Sequence, residues 1–248
     1  MGSSANKPRL VVDGKRLSGR GPLDLRNLKI TAGVLKKANG SAMIEWGNNR
    51  ILAAVYGPRE VFPKHMTDPR KALINARYVM APFSSSEEHG RSGPNRRSIE
   101  ISKVARHVFE NNVLVHQFPK TMININMEVL QSDGGTRVAA ITAASVALVD
   151  AGIPVRDLVQ GVSIGKIEGM QVADLDKTED NYGDSDMPAI VSLRTGEILL
   201  YQMDGKLKRA EVDSALSMIF EGAKKVREKQ VEALRAKYET SLGEAPQE

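Results

Sequence analysis

The sequence MININMEVL, residues 122–130, leads through DGGTR, residues 133–137, into VAAITAASVALVDAG, residues 138–152. Apolar and polar residues alternate in the first segment, which predicts a strand with one buried face. The last segment consists mostly of small apolar residues and ends at Gly152, a residue suited to the position just after a helix C-terminus. The region therefore predicts a strand, a glycine turn and a buried helix.

The glycine turn is a candidate anion-binding site. Gly134 and Gly135 let the backbone come close to a ligand, and the first turn of the following helix offers unpaired N–H groups at the positive end of the helix dipole. The planar, permanently charged guanidinium of Arg137 adds donors suited to a phosphate. A Gly-Gly pair before a helix is more often only a tight turn, so the assignment depends on what else the chain brings to the same place.

Composition restricts the class of protein. The chain has 248 residues, of which 41% are apolar and 4% aromatic, as in an ordinary α/β or α+β protein with a substantial core. Its 35 Lys and Arg against 30 Asp and Glu give a net charge of +5, which modestly favours an anionic partner. Cysteine is absent, which excludes thiolate catalysis and disulfides and fits a reducing cytoplasm. No apolar run reaches the ~18 residues of a membrane span, so we expect a cytoplasmic protein with no membrane association.

The N-terminal part of the chain predicts several strands. Residues 13–30 are rich in turn-forming residues and predict an extended arm along the surface. Residues 41–47 and 50–57 predict a hairpin that turns at Gly47-Asn48-Asn49, and residues 72–83 predict another strand. The loop at residues 60–71 contains Lys64 and His65 and is either a solvated connection or a basic lip beside a binding surface.

Arg96 and Arg97 lie where a loop gives way to a helix. The preceding residues, from 84 onward, are mostly Ser, Gly and charged residues and predict a flexible loop. From Ser98 the apolar residues recur at helical spacing. Positive side chains at a helix N-terminus are unfavourable unless an anion offsets their charge. The pair is therefore either a second anion-binding element or simply exposed to solvent.

The remaining chain predicts a second set of strands and helices. Residues 189–205 predict a hairpin, and residues 208–241 predict a long helix with one apolar stripe. We expect an α+β or α/β architecture in which two βα halves share one interface. The predicted divisions are a flexible arm at 1–12, a first half at 13–153, a second half at 154–241 and a flexible tail at 242–248.

An acidic segment, ADLDKTEDNYGDSDMP, occupies residues 173–188. A solvated loop is the usual explanation of such a run. An EF-hand calcium loop is excluded, because Glu179 stands where that loop requires glycine and Ser185 stands where it requires its final glutamate. Crowded carboxylates raise one another's pKa, so one of them could donate a proton, and a divalent metal could bind the same group.

These motifs together resemble the RNase PH family of phosphorolytic exoribonucleases. The likeness rests on the Arg96-Arg97 pair opening one helix, on GGTR opening another and on the acidic segment that ends in DMP at Pro188. It extends from about Gly19 to the final helix, and its order and spacing are more specific than any single motif. Within the family, residues 40–58 and the C-terminal helix are most similar to the catalytic subunits of archaeal exosomes.

The resemblance implies roles for the residues singled out above. Inorganic phosphate, the co-substrate, would be bound by the turn of Gly134, Gly135, Thr136 and Arg137. The phosphates at the RNA 3′ end would be held by Arg96 and Arg97, and RNA would also meet Lys64 and His65 at a constriction. Acid catalysis, or a metal ion such as Mg²⁺ or Mn²⁺, would fall to Asp180 and Asp186.

The resemblance also implies a fold and an assembly. The family fold is similar to the second domain of ribosomal protein S5, used twice, and ends in a long C-terminal helix. Three catalytic subunits would alternate with an inactive paralogue in a hexameric ring capped by RNA-binding subunits. The ring would shorten single-stranded RNA 3′ ends to nucleoside diphosphates and, in reverse, add heteropolymeric tails. Two alternatives stay open, a homohexameric RNase PH-type enzyme that trims tRNA 3′ ends and a non-catalytic ring subunit that only binds RNA.

Overall fold

The computed structural model describes residues 8–85 and 95–243, with side chains through residue 239. Most of the predicted N-terminal arm, loop and C-terminal tail lies outside the described residues. The elements in chain order are β1 (Val11–Val12), β2 (Lys15–Arg16), β3 (Leu28–Ala32), β4 (Gly40–Trp46), β5 (Asn49–Glu60), β6 (Leu73–Met80), α1 (Arg96–Asn112), β7 (Thr121–Gln131), α2 (Thr136–Asp150), β8 (Val159–Ile167), β9 (Met170–Ala173), α3 (Lys177–Tyr182), β10 (Ser185–Ser192), β11 (Ile198–Tyr201), β12 (Asp204–Gly205) and α4 (Arg209–Gly243).

Two five-stranded sheets form the framework. The first has the order β3-β4-β5-β7-β6, with β6 parallel to β7 and the other neighbours antiparallel. The second has the order β11-β10-β8-β9, and β12 also pairs with β10. The predicted hairpins are confirmed, because β4 and β5 pair across Gly47, with Trp46 opposite Asn49, and β10 pairs with β11.

Helix α2 lies between the two sheets. It is buried on nearly every side, as expected of a helix whose small apolar residues leave no polar face. Strands of both sheets come close to it at glycines. A Cβ on Gly40 would lie 2.3 Å from the carbonyl oxygen of Ala147, and one on Gly161 would lie 2.5 Å from that of Val138. One continuous core therefore joins the two predicted halves.

Helix α4 covers the second sheet and reaches the first, contacting β8, β9 and β3. Ala215, Ile219 and Ala223 of the predicted apolar stripe are fully buried. This confirms the long C-terminal helix. No helix in the described part of the chain combines the length and apolarity needed to span a bilayer.

Most of residues 13–27 lie at the surface, as predicted, but residues 13–30 do not form a separate arm. Strands β1 and β2 form a small hairpin, β3 is an edge strand of the first sheet, and Arg16 is only 2% exposed. Arg16 is buried because Glu179 and the carbonyl groups of Ala173 and Asp174 accept its hydrogen bonds. A charged residue that would ordinarily be assigned to the surface is thus part of the interior.

Candidate active site

The predicted anion-binding turn connects β7 to α2. Gly134 and Gly135 have φ angles of 70° and 68°, in the left-handed region that favours glycine. A Cβ on Gly134 would lie 2.7 Å from the carbonyl carbon of Asp176, so no larger residue fits there. Helix α2 begins at Thr136 without a side-chain cap, which leaves its first N–H groups free to bind an anion.

Arg26 and Asn49 hold this turn from behind. The Asn49 side chain donates to the carbonyl oxygen of Gly134 at 2.6 Å and accepts from the backbone N–H of Asp133 at 2.6 Å. The Arg26 guanidinium donates to the carbonyl oxygens of Asp133 and Gly134 and forms an ion pair of 2.7 Å with Asp174. The backbone conformation of the turn is therefore supported independently of any ligand.

Arg96 and Arg97 occupy the first turn of α1, as predicted. Asn95 caps this helix, because its side chain accepts from the N–H of Ser98 at 2.7 Å while the Ser98 hydroxyl accepts from the N–H of Asn95 at 2.8 Å. The first turn contains no acidic residue. Nη2 of Arg97 lies 3.4 Å from the Thr136 hydroxyl oxygen, so the two helix N-termini meet.

One cavity of about 440 Å³ brings most of the predicted groups together. A smaller cavity beside it, of about 120 Å³, reaches Gly134 and shares three residues with the first. Both halves of the chain contribute to the wall. Among the residues that line the larger cavity are Arg96, Arg97, Gly135, Thr136, Arg137, Asp180 and Asp186.

Arg137 is held in a defined orientation. Its Nη1 donates to the side-chain oxygen of Gln202, its Nη2 donates to Glu100 at 3.3 Å, and Gln202 itself donates to Glu100 at 3.0 Å. The remaining donor, Nε, is buried and has no partner among the described residues. Nothing in the sequence pointed to Gln202 or Glu100, because both approach Arg137 only through the tertiary fold.

Asp180, in α3, and Asp186, in β10, form the acidic side of the cavity. Burial raises the pKa of Asp180, although the charges of Arg97 and Arg137 oppose this effect. Burial and then the negative charge of Asp180 raise the pKa of Asp186 to about 7. The pair can therefore hold one proton near neutral pH.

The same two carboxylates are the candidate metal ligands. Within residues 8–85 and 95–243 there is no group of three or more His, Asp or Glu side chains that could hold a metal ion. Mg²⁺, however, commonly uses one or two protein carboxylates and takes its other ligands from water and substrate phosphates. Oδ1 of Asp186 is buried without a hydrogen-bond partner in the described structure, so this oxygen fits such a ligand.

Lys64 and His65 lie away from the cavity, in a short 3₁₀ turn between β5 and β6. Lys64 is highly exposed and pairs with Glu60 at 3.1 Å. This connection lies near the start of β7, whereas the glycine turn follows the end of β7. Because β7 has 11 residues, at about 3.3 Å each, the two ends of the strand are roughly 35 Å apart.

The sequence matches one enzyme family over both predicted halves. Residues 24–154 match domain 1 and residues 157–230 match domain 2 of the 3′ exoribonuclease family, RNase PH. The chain is 55% identical over 226 residues to exosome complex component Rrp41 of Pyrococcus furiosus, covering 91% of this chain and 90% of the relative. It is 50% identical over 235 residues to the component of the same name from Thermoplasma acidophilum, covering 94% of each. The chain belongs to the RNase PH family of 3′ exoribonucleases.

Solved structures agree with this assignment. A rice Rrp46 structure superposes with a TM-score of 0.78 at 25% identity, covering 89% of this chain and all 100% of that one. A chain of the Archaeoglobus fulgidus exosome with RNA bound to the active site gives a TM-score of 0.75 at 25% identity, covering 88% of this chain and 93% of that one. The resemblance and the RNase PH fold predicted from the sequence are both confirmed.

Proposed function

We propose that this chain is the catalytic subunit of an archaeal-type exosome ring, in which it removes nucleotides from RNA 3′ ends by phosphorolysis. The observation that carries the proposal is the single cavity that joins a glycine turn at a helix N-terminus, two arginines at another and a pair of carboxylates with raised pKa values. The family and the relatives named as exosome components support the same conclusion.

In this proposal, inorganic phosphate binds at the start of α2. The free N–H groups of the turn, the Thr136 hydroxyl and the unpartnered Nε of Arg137 supply its hydrogen-bond donors. Arg96 and Arg97 face the same cavity from α1 and bind the phosphates at the RNA 3′ end. Phosphate contacts of this kind position RNA without reading its bases.

In the reaction, an oxygen of inorganic phosphate attacks the phosphorus of the terminal phosphodiester. The bond from that phosphorus to the 3′ oxygen of the preceding nucleotide breaks, and the terminal nucleotide leaves as a nucleoside diphosphate. The departing 3′ oxygen takes a proton from the pair of Asp180 and Asp186. Positioning and charge neutralisation by the arginines supply most of the remaining catalysis. A divalent ion on the two carboxylates, Mg²⁺ or Mn²⁺, would add neutralisation of phosphate charge.

The reaction is reversible because a phosphodiester is exchanged for a phosphoanhydride and little free energy is released. With excess nucleoside diphosphates the same site is expected to extend RNA with heteropolymeric tails. In our proposal the first half of the chain, residues 13–153, binds RNA and phosphate, and the second half, residues 154–241, carries the acids. Lys64 and His65, far from the glycine turn, would contact RNA upstream of its 3′ end.

The proposed partners are single-stranded RNA, an inactive paralogous subunit that alternates with this chain in a hexameric ring, and RNA-binding cap subunits. The cavity contains both the proposed anion site and the acid pair. This argues against a purely structural ring subunit, because such a subunit needs neither. The molecular mass of the active assembly, measured alone and with the paralogue, separates the exosome subunit from a homohexameric RNase PH-type enzyme.

The deciding experiment supplies 5′-labelled and 3′-labelled single-stranded RNA with and without phosphate and identifies the released mononucleotide. We expect diphosphates, released only when phosphate is present. Arg137→Ala should raise the phosphate concentration for half-maximal rate and suppress tail synthesis in parallel. Equal activity without phosphate, with monophosphates released and no extension, would make the protein a hydrolase and refute the proposal.

A further inference from the structure

Tyr78 of β6 lies directly behind the proposed phosphate site and has no role in the mechanism above. It is only 1% exposed, and its phenol oxygen lies 2.8 Å from the hydroxyl oxygen of Thr136. Arg97 also approaches the Thr136 oxygen, with Nη2 at 3.4 Å. Two groups of the first half of the chain therefore converge on the hydroxyl that is proposed to bind phosphate.

The number of protons available decides the direction of the Tyr78–Thr136 hydrogen bond. Each hydroxyl carries one proton. Among the described residues, the acceptor within hydrogen-bond distance of the Tyr78 hydroxyl is the Thr136 oxygen. If Thr136 were the donor, the buried phenol proton would lack an acceptor, which is unfavourable. Tyr78 is therefore the donor. Burial raises the pKa of Tyr78, so the phenol keeps this proton at neutral pH.

The direction of this bond orients the proton of Thr136. Its oxygen accepts from Tyr78 and from Arg97, so its lone pairs are engaged and its own proton is directed elsewhere. The open side of Thr136 is the cavity that also contains Arg137 and Asp180. We propose that Tyr78 is a positioning residue that keeps the Thr136 hydroxyl as a donor to the attacking phosphate. This inference rests on the proposed function of the cavity.

Tyr78→Phe removes the phenol hydroxyl and keeps the ring. In the full-length chain, in its active assembly, we expect the phosphate concentration for half-maximal rate to rise about three- to tenfold, the range that one neutral hydrogen bond supports. The maximal rate at saturating phosphate and the affinity for RNA without phosphate should stay within about twofold of wild type. Tyr56→Phe is the matched control, because Tyr56 lies on β5 outside the cavity and its ring faces Arg59. It should change neither value.

A double-mutant cycle tests whether Tyr78 acts through Thr136. Thr136→Val deletes the hydroxyl and should itself raise the phosphate requirement, after which Tyr78→Phe should have no added effect. Thr136→Ser keeps the hydroxyl and should stay sensitive to Tyr78→Phe, which provides a second route if the valine variant folds poorly. Thermal unfolding of each variant verifies that it is folded.

The outcomes separate this inference from the proposed function. If Thr136→Val raises the phosphate requirement but Tyr78→Phe leaves it unchanged, the phosphate site stands and the role of Tyr78 is refuted. An equal effect of Tyr78→Phe in the Thr136→Val background would also refute it, because Tyr78 would then act by another route. If neither Thr136→Val nor Arg137→Ala alters the phosphate requirement, the phosphate site itself is wrong.

Discussion

Glu179 and Asp180 are neighbours in the sequence, yet their carboxylates lie in opposite environments. Glu179 is 3% exposed and accepts hydrogen bonds from Arg16 at 2.7 Å and from Arg20 at 3.2 Å. Burial opposes its charge, but the hydrogen bonds from Arg16 and the N–H of Asp176 bring its pKa below the ordinary value. Asp180 faces the cavity, and burial raises its pKa. One carboxylate is fixed as an ion, while the other is available for proton transfer.

The same division extends to Asp174, Asp176 and Asp186 of the acidic segment. Asp174 and Glu179 form ion pairs with arginines of the N-terminal segment, and Asp176 caps α3 by accepting from two backbone N–H groups at 3.0 Å. These carboxylates attach the segment to the rest of the protein. Asp180 and Asp186 are left to the cavity, where no ion pair with either is found in the described structure. Thus charge pairing, rather than the number of acids, distinguishes structural from reactive carboxylates.

The largest effect is expected from Glu179→Gln. The substitution leaves Arg16 buried without its counter-ion, and loss of one member of a buried pair costs about 3 kcal/mol or more. Urea unfolding should show this loss. At a temperature where the variant remains folded, its turnover should stay within a few fold of wild type. A change in unfolding free energy below about 1 kcal/mol would contradict the assignment of Glu179 as structural.

Asp180→Asn, at the adjacent position, should give the reverse pattern. Turnover should fall by about 100-fold or more, equivalent to about 2.7 kcal/mol or more in activation free energy, because a proton donor or metal ligand is lost. RNA affinity should stay near that of wild type, and the unfolding free energy should not fall, because the buried carboxylate that is removed has a raised pKa. A variant that keeps more than about a third of wild-type turnover would show that Asp180 takes no part in the chemistry.

Asp186 should affect the pH dependence of the unfolding free energy, and this effect is expected to be smaller than the two above. Its folded-state pKa of about 7 exceeds the ordinary aspartate value, so the folded protein binds an extra proton between about pH 4 and pH 7 and loses stability as the pH rises through this range. Asp186→Asn removes this loss. Its unfolding free energy relative to wild type should rise by at least about 1 kcal/mol from about pH 5 to about pH 8, the equivalent of one pKa unit. A difference that does not vary with pH would mean that Asp186 titrates normally.

The charge of Asp180 adds to the effect of burial in raising the pKa of Asp186, which ¹³C NMR of the Asp186 carboxyl group can measure. In wild type the pKa should be about 7. In Asp180→Asn it should fall, because the neighbouring negative charge is gone. An unchanged pKa would mean that burial alone accounts for the shift.

The smallest effects are expected from Arg96 and Arg97, the two arginines that line the cavity from α1. Combined Arg96→Ala and Arg97→Ala should weaken RNA binding regardless of base sequence. On single-stranded RNA, the log–log slope of affinity against salt should become shallower by roughly 0.7 for each phosphate that the arginines no longer neutralise. Glu228→Ala, on an exposed face of α4, provides a folded control with an intact cavity. An unchanged slope in the double variant would leave the pair as merely solvated side chains.

The sequence by itself determined the elements that depend on local patterns. Alternation predicted β7, whose Ile123, Ile125 and Met127 are fully buried, and small apolar residues predicted α2 and its end near Gly152. Helical spacing also predicted that Arg96 and Arg97 open α1. Such patterns suffice because side-chain periodicity and glycine conformation are properties of a short stretch of chain.

The tertiary structure alone decided which charged groups meet. Arg16 and Glu179 are separated by 163 residues, and Arg137 and Gln202 by 65, so no local pattern relates them. In the sequence, the carboxylates of the acidic segment cannot be told apart. In the fold, some of them pair with arginines, whereas Asp180 and Asp186 line a cavity. Because burial and neighbouring charge set the pKa of a carboxyl group, its chemical role depends on contacts that form only when distant parts of the chain pack together.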